Sequence, residues 1–190
     1  FVTTFSGFLW GSMFVLLGLE HAAWSPYGFF TVLTLTLVYV IYSRNYKFLR
    51  SVQLIAIFLL PFGLQFSLGG FENSGHAYIW AFLAPLGALI FEGRRSAIFW
   101  FILFAMGIGV SAYIDDWLLK WHGPVSANLK LVFFLMNMGT VMTTVFAVSV
   151  YFITQVKKAN LENERLLLNI LPSSIVPRIK YGEGVIADQC

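Results

Sequence analysis

Residues 129–171 read LKLVFFLMNMGTVMTTVFAVSVYFITQVKKANLENERLLLNIL, and the change of character inside that stretch decides the fold. From Leu129 to Ile153 the only charge is Lys130, and the run is longer than the ~20 residues a helix needs to cross a ~30 Å hydrocarbon core. From Thr154 to Leu171 neither Pro nor Gly intervenes, and Leu, Glu, Lys, Arg and Asn predominate. Such residues sustain a helix, so the apolar helix is expected to continue as a polar one until Pro172 stops it.

Working back towards the N-terminus, five further apolar runs precede this one: Val2 to Leu19, Trp24 to Tyr42, Val52 to Leu68, Ala77 to Phe91 and Ala97 to Ile114. The run from Ala77 is short for a span and must recruit neighbouring residues or sit where the bilayer is thinned. Composition agrees with lipid: 58% of the 190 residues are hydrophobic, 18% aromatic and 11% charged. Mean hydropathy is +0.78, beyond what a soluble domain of this size needs. A net charge of +3 is too small to argue for nucleic acid, and the single cysteine, Cys190, offers no disulfide framework. The expected fold is an all-α membrane protein: a six-transmembrane-helix bundle over residues 1–153, a cytoplasmic coiled-coil helix over 154–171 and a junction over 172–190.

Lys and Arg set the orientation. Arg44, Lys47, Arg50, Arg94, Arg95, Lys157 and Lys158 lie on one side, against only Lys120 and Lys130 on the other. The positive-inside rule makes the first set cytoplasmic, so both termini are expected in the cytoplasm of a multi-pass plasma-membrane protein.

The polar continuation carries a short heptad stripe, Phe152, Val156, Ala159, Asn163, Leu166 and Ile170, in steps of four and three. A second, more polar seam through Ile153, Val156, Asn160, Asn163, Leu167 and Ile170 shares alternate positions with it. Two overlapping seams would let a parallel pair exchange between two rotations; the plainer alternative is an amphipathic helix lying against its own membrane domain. Within the preceding run, Asn137, Thr140 and Thr144 share a helical face and Gly139 with Thr143 forms a small-xxx-small pair. These five residues are the candidate contact of a homodimer, the alternative being packing inside one subunit.

Past the helix, LLLNILPSSIVPRIKYGEGVIAD combines helix-ending Pro172 and Pro177 with turn-permitting Gly182 and Gly184. The segment resembles the junction between membrane anchor and catalytic domain of class III nucleotide cyclases. Leu166 to Pro172, Ile175, Arg178 to Lys180, Gly182, Glu183 and Ile186 to Asp188 match that pattern at its fixed spacing, about thirty residues of the chain. The resemblance implies a bacterial membrane-anchored adenylyl cyclase, homodimeric, converting ATP to cyclic AMP and pyrophosphate. It also implies Mg or Mn with ATP in a catalytic domain whose two metal-holding aspartates are not among these residues. Coupling positions follow by the same resemblance: Leu166, Leu167, Leu168, Asn169, Ile170, Leu171, Pro172, Arg178, Lys180, Gly182, Glu183 and Asp188; Asn163, the polar register residue of the heptad stripe, is counted with them. The chain reads as an anchor separated from its output domain. A guanylyl cyclase anchor and a non-enzymatic six-helix receptor or transporter are the alternatives.

All three histidines fall at the expected outer ends, each near acids: Glu20 with His21, Glu72 with His76, and Asp115 and Asp116 with His122. Imidazole and carboxylate suit divalent ions, so these seven residues are candidate ligands for an outer cation or another extracellular ligand. The alternative is that loops facing water are simply polar. Haem ligation normally takes histidines from helix interiors, which these runs lack. Nor do the cores of the runs hold the intramembrane charges that mark a transport path. No catalytic constellation and no resident cofactor is legible in the chain.

Overall fold

A computed structural model describes residues 2–170. All regular structure in them is helical: α1 (Val2–Leu16), α2 (Glu20–Ser43), α3 (Tyr46–Leu68), a 3-10 turn (Ala77–Phe82), α4 (Leu83–Phe91), α5 (Arg94–His122) and α6 (Ala127–Ile170). Each apolar run of the sequence has its helix. Four of them, α2, α3, α5 and α6, are long and apolar enough to cross a membrane, whereas α1 and the segment Ala77–Phe91 are shorter apolar helices. Apolar side chains such as Leu35, Met106, Val110 and Leu135 stand more than half exposed, the arrangement of a bundle whose solvent is lipid.

The largest departures from the expected limits are two helix starts and one helix end, each with a local reason. Gly18, at φ 72°, follows the end of α1 at Leu16, inside the first apolar run, and lets α2 begin at Glu20. Asn45 accepts a 3.1 Å hydrogen bond from the Phe48 amide and so caps α3 at Tyr46, ahead of its apolar core. No Pro or Gly follows Ile114 until Gly123, so α5 runs on to His122 and carries Asp115 and Asp116 on the helix rather than in a loop.

The chain falls into two compact units, residues 1–142 and 143–190. In the first, α1 packs on α2 and α2 on α3, with close approach made possible by small residues. A Cβ at Gly7 would stand 2.9 Å from the Pro26 carbonyl oxygen, and one at Gly11 would stand 2.7 Å from the Tyr27 ring. Phe14, Ala22, Ala23, Leu68 and Phe133 form the buried core. In the second unit the described residues continue α6, and every side chain from Ser149 to Arg165 is exposed, as is Leu166.

Candidate functional site

At the end of the first unit that bears the histidines, the turn between α3 and the 3-10 segment folds inward. Gly69 and Gly70 both take positive φ, which closes α3 and turns the chain back over the bundle. Asn73, Ser74 and Gly75 are buried there, so their backbone polar groups need partners inside the protein. Asn137 supplies the partners of the Ser74 and Gly75 carbonyls, and two further side chains, Asp115 and Asn73, hold the turn in place. Asp115 Oδ1 accepts from the Phe71 amide at 2.8 Å. The Asn73 amide group donates to the Gly123 carbonyl at 2.8 Å, while its oxygen accepts from the Val125 amide at 3.2 Å, tying the turn to the α5–α6 connection. Asn137 on α6 donates to the carbonyls of Ser74 and Gly75 at 3.0 and 2.9 Å and accepts from the Trp80 indole N–H at 3.0 Å. A Cβ at Gly75 would collide with the backbone of Phe133 and Phe134, so this turn lies directly on α6.

The seven candidate cation ligands divide on this frame. His21 and His122 come together, ring centroids 5.8 Å apart, both exposed; His122 Nδ1 lies 3.2 Å from the Leu118 carbonyl oxygen. Glu20 opens α2 beside His21 and is exposed, as is Asp116. Asp115 is engaged by Phe71. Glu72 instead pairs with Lys130 at 3.1 Å. His76, held at φ 58°, sits among the rings of Phe71, Tyr78 and Phe134. The connections do converge, but among the described residues no three His, Cys, Asp or Glu side chains group as metal ligands. The convergence builds a hydrogen-bonded closure of the bundle end.

Of the five candidate dimer residues, Asn137 is 4% exposed and its amide group is committed within its own subunit, to Ser74, Gly75 and Trp80. Gly139, Thr140 and Thr143 are exposed and Thr144 is half-buried. Among the coupling residues, Asn163 and Leu166 are exposed on α6, and Leu167, Leu168, Asn169 and Ile170 belong to the same helix. Leu171, Pro172, Arg178, Lys180, Gly182, Glu183 and Asp188 lie outside the described residues.

The organising roles of Asn73 and Trp80 escape a reading of the sequence. The signal for the first is the spacing Gly-Gly-x-x-Asn-Ser-Gly between two apolar runs, which promises a tight turn but not its burial. Compared with protein-family models, curated proteins and solved structures, the chain matches none.

Proposed function

We propose that this chain is the membrane domain and coupling helix of a bacterial class III adenylyl cyclase. In this reading all six apolar helices lie across the bilayer, the basic connections and both termini face the cytoplasm, and the histidine end faces out. α6 leaves the membrane and pairs with its counterpart in a second copy. The anchor holds two catalytic domains, lying beyond these residues, at high mutual effective concentration. Metal ions with ATP belong to those domains.

One observation carries the reading: α6 is a single helix from Ala127 to Ile170, leading from an apolar segment into the first residues of the cyclase-like junction. It presents Phe152, Val156 and Leu166 at 40%, 51% and 56% exposure along one heptad stripe. Apolar residues at that spacing on a polar helix suit a partner helix. The exposed pair Gly139 and Thr143 suits close approach of two α6 helices within lipid.

The test is nucleotide cyclisation in membranes from cells expressing the full-length gene product, supplied with ATP or with GTP and with Mg or Mn. Cyclic AMP from ATP is expected. Cyclic GMP alone would make it a guanylyl cyclase anchor, and neither product would overturn the reading.

A further inference from the structure

A cavity of about 190 Å³, partly open to the surroundings, lies between helices of the first unit, walled by α1, α2, α3, the 3-10 turn, α4 and α6. It exists because four elements place residues there with little side chain or with a ring folded back on the backbone: Gly7, Pro26, Pro61 and Ala77. Pro26 and Pro61 also lack the amide hydrogen that would have closed a helical turn. Around that space stand the aromatic residues Trp10, Phe29 and Trp80, and no charged residue lines it. An apolar cavity of ~150 Å³ stays dry and takes up benzene, so this one is large enough for a substituted ring.

Two residues with polar side chains that carry no ring line the cavity, Ser6 and Asn137, and Asn137 is the one whose hydrogen bonds define what it can still accept. Both of its amide hydrogens go to the carbonyls of Ser74 and Gly75, and one lone pair of Oδ1 takes the Trp80 indole N–H. An amide oxygen has two lone pairs, so the capacity Asn137 retains is that of an acceptor. We propose that the cavity is a binding site for an uncharged, membrane-soluble molecule with one ring and a single hydroxyl or N–H. The ring lies among the aromatic side chains and the donor meets Asn137 Oδ1. Charged ligands are disfavoured because nothing in the wall compensates a charge removed from water. The site is independent of any catalytic output, since every lining residue belongs to the bundle.

Fluorine NMR of the 190-residue chain in lipid nanodiscs tests this with 4-fluorophenol as probe and fluorobenzene as the analogue lacking the donor. A saturable bound signal is expected for 4-fluorophenol, absent from empty nanodiscs and displaced by p-cresol. Fluorobenzene is expected to bind about tenfold more weakly, the worth of one neutral hydrogen bond. Filling the space by Leu64→Phe or Ile57→Phe is expected to abolish the signal. The displacement by p-cresol needs no variant and stands if either fails to fold. Absence of saturable binding, undiminished binding in both folded variants, or equal binding of the two probes would overturn the proposal.

Discussion

Replacing Asn137 by Leu keeps the number and branching of the side-chain heavy atoms, in a somewhat larger volume, and removes every hydrogen bond the side chain makes. The carbonyls of Ser74 and Gly75 and the Trp80 indole N–H would then be stranded where Asn137 is now 4% exposed. Hydrogen bonds between membrane helices average ~0.6 kcal/mol, which sets a floor of about 2 kcal/mol for three. A buried group left without its partner costs about 1–3 kcal/mol, which raises the expectation to about 2–4 kcal/mol. Removing only the indole donor, by Trp80→Phe, should cost about 1 kcal/mol. The two changes share one hydrogen bond, so the double variant should lose less than the sum, by about 0.5–1 kcal/mol. Reversible unfolding of the purified chain in mixed micelles, followed by circular dichroism, reads all three values. A loss below about 0.5 kcal/mol for Asn137→Leu, or strict additivity with Trp80→Phe, would refute the assignment of Asn137 as the tie between α6 and the inward turn.

Asp115→Ala, which strips the Phe71 amide of a charged acceptor, should cost about 1–2 kcal/mol in the same assay, and Asp115→Asn should recover part of it. Gly75→Ala should be among the most damaging single changes, because φ is +59° there and the added carbon meets the α6 backbone; loss of the folded species by size-exclusion chromatography is the readout. Glu72→Ala should change stability by less than about 0.5 kcal/mol, since its pairing with Lys130 leaves the glutamate side chain 76% exposed. Gln65 is fully buried, and neither polar atom of its side chain has a hydrogen-bond partner among the described residues. Gln65→Leu should therefore be neutral or stabilising by about 1 kcal/mol, and a clear destabilisation would reveal a partner for the amide.

The helices were legible because long apolar runs separated by Gly, Asn and Arg admit few other conformations at these lengths. Their ends were less so: hydropathy marks where lipid would begin, whereas α2, α3 and α5 begin or end beside backbone signals at Gly18, Asn45 and Gly123 that hydropathy does not report. The grouping of the histidines was legible only as nearness in sequence. Which imidazole meets which depends on how α5 closes against the start of α2, and that brings His122 to His21 while His76 turns to an aromatic cluster. Asn137 shows the same limit. An asparagine in an apolar helix must find partners, but a helical wheel does not distinguish the inside of its own bundle from a second copy. The buried turn 69–76 reads as a water-facing loop because its composition is that of one; its burial follows from Asp115 and Asn137, distant in sequence, answering its backbone groups.

The coupling assigned to α6 is tested most directly by replacing Leu161 to Leu171 in the full-length protein with a Gly-Ser linker of equal length and measuring cyclic AMP formation in membranes. A rigid helical pair feeding the cyclase entrance predicts normal membrane insertion with basal or regulated activity abolished. Cyclic AMP formation equal to that of the unmodified protein would contradict it.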